Sequence, residues 1–158
     1  MTETRSPLKV LRSARRVGAR RRALLVEACV WLLVSRLALI FIPFPKLAGR
    51  LGAFVPPADP RVAAAAAPGS PEAVALAKEV SWAVVRGAAH VPFRAVCLPQ
   101  AMAAQIMLRR RGVACVMHFG AQRGQHRPLD AHAWLDAAGV KVTGYPIGRG
   151  MTEIACFV

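Results

Sequence analysis

The chain has 158 residues, 55% hydrophobic and 19% charged, which is enough for one packed domain and excludes global disorder. A formal net charge of +14 implies an anionic partner: an acidic peptide, a membrane surface or a nucleic acid. The four cysteines (Cys29, Cys97, Cys115 and Cys156) include no Cys-x-x-Cys pair, which fits a reducing cytosol better than a disulfide framework.

In chain order, residues 1–19 carry Arg5, Lys9, Arg12, Arg15 and Arg16 against a single acid, Glu3, and read as a solvated basic tail or a frayed helix start. A first helix is predicted from Arg20 to Ile40, stopped by Pro43 and Pro45. It is apolar enough to raise the question of a membrane. Glu27 and Arg36 argue against a span, since each costs about 2.5–3.5 kcal/mol near a bilayer centre. They sit nine residues apart on nearly opposite helix faces and cannot pair with each other. A buried or peripheral helix is the expectation, with contact at a membrane surface as the alternative. A helical turn follows in "KLAGRLG", and "VPPADPRVAAAAAPGS" reads as a Pro-rich connector.

The second helix is well signalled. Ser70 is an N-cap, Pro71 fits the first helical position, and Leu76, Val80, Ala83, Val84 and Gly87 recur at helical spacing. A third helix is predicted from Leu98 to Arg111, with Pro99 in its first turn. Met102, Ile106 and Met107 share a face, Arg109 to Arg111 complement the negative end, and Gly112 terminates it. The period then changes to two. "VACVMHFG", "PLDAHAWLDA", "VKVTGYP" and "TEIACFV" read as strands, with a turn at Ala138-Gly139. Helices followed by an antiparallel meander make an α+β fold. The divisions are a basic tail over 1–19, a helical region over 20–90 and a catalytic core over 91–158, in one compact domain.

Cys97 stands apart from the other cysteines because it opens the third helix. There it faces unpaired backbone N–H groups and the positive helix end, both of which favour thiolate over thiol. The same N–H groups can hold the oxyanion that forms when a thiolate attacks an acyl carbon. A base is then needed. His132 lies mid-strand in "DAHAWLDA", beside Trp134 on one face. A nucleophile at a helix start and a base on a later strand is the layout of papain-like and transglutaminase-like enzymes. His90 and His126 read as surface residues. A zinc site from Cys115, His118, His126 and His132 is disfavoured, because Cys115 and His118 point to opposite faces of an extended strand. No metal and no cofactor is expected.

"CLPQAMAAQIMLRRRGVACVMHFGAQR…LDAHAWLDAAGVKVTG" resembles the transglutaminase-like core of the lasso-peptide leader peptidases. Cys97-Leu98-Pro99, "LRRRG", Gly120 and His132-Ala133-Trp134 carry the likeness. It implies proteolysis of a precursor peptide: the leader is removed, and a separate cyclase then closes the exposed amino terminus in an ATP-dependent step. Cys97 is then the nucleophile and His132 the general acid/base. The family often has an Asp twelve residues after the His, where this chain has Gly144. Asp130 and Asp136 share the strand and parity of His132, each about 7 Å along it, and either could orient the imidazole if a bulge helps. A carbonyl or water could do so instead, and Gln100 could sit near the oxyanion.

The winged-helix-like leader-recognition module of the family has no counterpart here. The resemblance therefore implies a separate leader-recognition protein as partner, alongside the precursor and the cyclase. The basic surface, including Arg15, Arg16, Arg20, Arg21 and Arg22, would hold acidic residues of leader or partner. Two competing readings are a nucleic-acid-binding module and a membrane-associated scaffold without activity. The first lacks aromatic interleaving or a reader motif, so no nucleic acid is expected. A cytoplasmic location, with peripheral membrane contact as the variant, completes the expectation.

Overall fold

The computed structural model describes residues 7–124 and 128–158, with side chains from residue 18 onward, so the arginines of the basic tail and His126 lie outside the described side chains. Helix α1 spans Pro7–Phe41, so helix begins well before Arg20. It is followed by α2 (Phe44–Leu51), β1 (Phe54–Val55), α3 (Pro60–Ala66), α4 (Pro71–Ala88) and α5 (Cys97–Arg109). Strands β2 (Cys115–Gln122), β3 (Asp130–Ala137), β4 (Val140–Thr143) and β5 (Thr152–Phe157) complete the α+β architecture.

The local signals explain most of these limits. Ser70 caps α4 by accepting a hydrogen bond from the Ala73 amide at 3.2 Å, with Pro71 just inside. Gly112 follows α5 in the left-handed region, φ +72°, where glycine carries no steric penalty. The Ala138-Gly139 turn has positive φ at both residues, 52° and 76°, as a two-residue hairpin requires. The Pro-rich connector is more ordered than its composition suggests. Asp59 caps α3 by accepting from the Arg61 amide, and the short β1 before it pairs with β5.

The sheet is antiparallel in the order β1-β5-β2-β3-β4. Only β2, β3 and β4 form a meander. The expected continuation past β4 does not occur, because β5 returns to the far side of β2. One sheet face packs on α5 through Cys115, Met117, Ala133, Leu135, Ala137 and Phe157. The opposite face holds Val116 and Cys156 against Val55 of β1 and Val62 of α3. Helix α5 lies between the sheet and the pair α1 and α4, and is buried on nearly every side, from Ala101 to Leu108. Truncating its fully buried Met107 to Ala would cost about 2–5 kcal/mol.

Helix α1 buries Leu24, Ala28 and Leu32 against α4 and α5. Glu27 does find a partner, though not within its own helix: both its oxygens meet the Arg111 guanidinium at the end of α5. The outer face of α1 is apolar and exposed, through Val26, Val30, Leu33, Val34, Leu37, Ile40 and Phe41.

Candidate active site

Cys97 is the first residue of α5, and Val96 in extended conformation is the N-cap. No side chain caps this end. The amides of Cys97 and Leu98 are therefore without intrahelical partners, Pro99 has none to offer, and Gln100 N–H is the first to bond back, to Val96 O at 3.3 Å. The Gln100 side chain folds back and donates one Nε2 hydrogen to Ala95 O at 2.7 Å.

Cys97 and His132 line a single cleft of about 370 Å³, together with Ser81 and Val85 of α4, Gln100, and the segment Lys141 to Pro146. Strand alternation alone would not bring them together. Ala133 and Leu135 face α5, so the neighbouring His132 starts from the other side of the sheet. Cys97 and His132 both line the cleft at the level where β4 ends at Thr143 and leaves this edge of β3 without a strand partner. Past that edge His132 reaches the cleft, with its ring packed on Trp134 at 6.1 Å between centroids.

The orienting group differs from both carboxylates expected for it. His132 Nε2 is bonded to the carbonyl of Gly144 at 2.6 Å, and neither Asp130 nor Asp136 contacts the ring. Since a carbonyl only accepts, Nε2 carries a proton, which in the neutral ring leaves the lone pair on Nδ1. Asp136 fails as the direct partner because it is turned elsewhere: it accepts from Tyr145 Oη at 2.7 Å and stands 3.4 Å from His118 Nε2. Tyr145 follows Gly144, so this bond ties Asp136 to the turn that presents the carbonyl.

Gly144 could not carry the family's Asp in this conformation. Its φ is +82°, and a Cβ would stand 2.5 Å from Ala133 O and 2.7 Å from the Trp134 Cβ. The glycine lets the backbone come close enough to β3 for its carbonyl to accept from the His132 ring.

Neighbouring titratable groups are strongly perturbed. Burial pushes the Tyr145 hydroxyl far up, with help from Asp136 and Glu153. Burial opposes the charged form of His118, but Asp136 and Glu153 outweigh it and raise its pKa. Cys156 is pushed up to about 12 by burial first and then by the carboxylate of Glu153, both of which favour thiol over thiolate. Burial likewise raises the Cys115 thiol, which lies on the α5 face of the sheet, opposite His118. The two thus point apart as expected. The grouping of His118 with Glu153 and Cys156 was not visible in the sequence. Glu153 and Cys156 are three residues apart and should face opposite ways, but a register shift in the β2–β5 pairing puts them on one side.

No match is found among curated proteins or among solved structures. The family model described as transglutaminase-like superfamily matches residues 38–155, well over half of the chain. A helix-opening cysteine, a histidine on the sheet and that match agree with one another: this chain belongs to the transglutaminase-like superfamily, with the cysteine-peptidase-like fold that goes with it.

Proposed function

We propose that the chain is a cysteine peptidase that removes the leader from a lasso-peptide precursor, working with a separate leader-binding protein and a cyclase. The observation that carries the reading is the shared cleft of Cys97 and His132, with the imidazole anchored through Nε2 so that Nδ1 is free as a base. In the first step Nδ1 takes the Cys97 proton and Sγ attacks the scissile carbonyl carbon. The oxyanion that forms is held by the amides at the opening of α5. Collapse breaks the C–N bond, and the imidazolium gives its proton to the departing amine of the core peptide. Water then hydrolyses the thioester, with Nδ1 again as base, and the leader leaves as a carboxylate.

The cleft is open to the surface and lined by Val85, Val142 and Lys141 beside Cys97 and His132. The cationic surface suits acidic residues of leader or partner. Two of its arginines also have internal work, since Arg20 pairs with Glu79 at 2.8 Å and Arg21 lies over Trp82. The test is incubation of a candidate precursor with the chain, with and without its leader-binding partner, followed by mass spectrometry. The expected result is a single cut at the leader–core junction that Cys97→Ala abolishes. A cut that persists in that variant would dismiss the reading.

A second reading, peripheral membrane contact, is favoured by one observation. Within α1, Gly18–Phe41 is long and apolar enough to cross a membrane by length and composition. Its inner face is committed to α4 and α5, which leaves the exposed stripe from Val26 to Phe41, headed by Arg20 to Arg22, to meet a surface. Flotation with vesicles of anionic lipid, against neutral ones, checks it. A chain that stays at the bottom of both gradients refutes it.

A further inference from the structure

Away from the cleft, on the sheet face that carries Val116 and Cys156, three donor atoms converge. His118 Nδ1 lies 2.5 Å from Glu153 Oε1, and Cys156 Sγ lies 2.9 Å from that same oxygen. Sulfur and imidazole nitrogen are 3.5 Å apart, and all three atoms fall within 4.8 Å of one another. The residues come from adjacent strands: His118 pairs with Cys156 across β2 and β5, and the irregularity after Phe119 brings Glu153 to the same side. His118 is 6% exposed. Its ring stacks flat on Trp134, and its other nitrogen, Nε2, has no hydrogen-bond partner but faces Asp136 Oδ2 at 3.4 Å.

We propose that His118, Glu153 and Cys156 bind one divalent transition-metal ion of the zinc type, through Nδ1, a carboxylate oxygen and Sγ. Thiolate, imidazole and carboxylate are the donor set that such an ion selects over magnesium or calcium. Around a tetrahedral zinc ion, donors stand about 3.3–3.7 Å apart, given metal–donor bonds of about 2.0–2.3 Å. The sulfur-to-nitrogen separation already fits. The two contacts to the carboxylate must open, and Glu153 is the member free to swing, with its side chain 32% exposed while those of His118 and Cys156 are enclosed. Asp136 then accepts from Nε2–H and fixes the ring, as a carboxylate behind a metal-bound imidazole does. The fourth position falls to water on the open, Glu153 side.

Charge and protons balance. Thiolate and carboxylate together neutralise the dication, and binding releases the thiol proton, with any proton on Nδ1, to solvent. Without a metal the same atoms form a closed hydrogen-bonded cluster, in which the thiol and the imidazole Nδ1–H both donate to Glu153. The proposal does not depend on the peptidase reading, because none of the three ligands lines the cleft.

Titration of the reduced full-length chain with Co²⁺, excluding oxygen, decides between the two. The expected result is a sulfur-to-cobalt charge-transfer band that saturates at one equivalent and is abolished by added Zn²⁺. Cys156→Ser should lose the band, Glu153→Gln should weaken binding, and Asp136→Asn should weaken it about 10- to 100-fold. Cys29→Ala and Cys115→Ala should titrate like the parent. Circular dichroism checks each fold, and the part-exposed Glu153→Gln still decides the matter if Cys156→Ser does not fold. The proposal is overturned by the absence of a band, by a band that survives both Cys156→Ser and Glu153→Gln, or by one lost instead in Cys97→Ala.

Discussion

The sheet serves two cysteine–histidine pairs, and surroundings rather than residue type separate them. At one, Cys97 opens a helix beside amides without intrahelical partners, lines an open cleft and shares it with a histidine held through Nε2 by a neutral carbonyl. At the other, Cys156 is fully enclosed, and its histidine is pressed between two carboxylates. Burial first, and then the Glu153 carboxylate, hold the proton on the second thiol, whereas the first stands at the amides that open α5. Trp134 packs on both imidazoles, so the distinction is maintained across a single indole.

The largest effect that would break the comparison is loss of Cys97. Cys97→Ala should lower precursor cleavage by about four orders of magnitude or more with an unchanged melting curve, whereas Cys156→Ala and Cys115→Ala should leave cleavage standing. Comparable losses in the Cys97 and Cys156 variants would erase the distinction. Next is Gly144→Asp, which introduces the residue type of the lasso-peptide leader peptidases that the sequence resembles. On the peptidase reading it should abolish cleavage rather than improve it, and destabilise the chain by about 1–3 kcal/mol from the positive φ alone, read by chemical denaturation and turnover together.

Tyr145→Phe sharpens the same point at lower amplitude. It releases the Asp136 anchor and should cost about 1 kcal/mol, or about fivefold, in kcat with KM little changed. A KM effect without a kcat effect would mean that Tyr145 binds substrate instead of setting the histidine. The smallest effect lies at the far end of α5. Glu27 is held below its usual pKa, first by the hydrogen bonds from Arg111. A depressed carboxylate stabilises the fold above its unfolded value of 4.5, and this contribution fades as pH falls through the folded value. Glu27→Gln should therefore lower stability by about 0.5–1 kcal/mol at pH 7, with a gap to the parent that closes in acid. A gap that does not depend on pH would show that packing, not charge, holds this junction.

Much of the fold was legible because its signals are local. Ser70-Pro71, Gly112 and Ala138-Gly139 mark their boundaries by capping and turn chemistry that needs no tertiary information. Cys97 was legible for the same reason. The rest depends on strand pairing. That β5 turns back to β2, that β4 stops one residue before Gly144, and that the register slips near Glu153 are all set by long-range packing. Those three features determine which groups meet His132 and His118, so which carbonyl meets His132, and the second cluster, stayed hidden. The same slip explains why parity arguments separated Cys115 from His118 correctly yet gave no hint of Cys156.

An acceptor supplied by the main chain has no codon of its own. Changing residue 144 alters the shape that delivers the oxygen but never deletes the oxygen itself. On the peptidase reading, a survey of relatives by side-chain identity would score this position as a lost member of a triad, although its task has only passed from a variable group to an invariant one. The mark to look for is a small residue that lets two strands touch, not an acid.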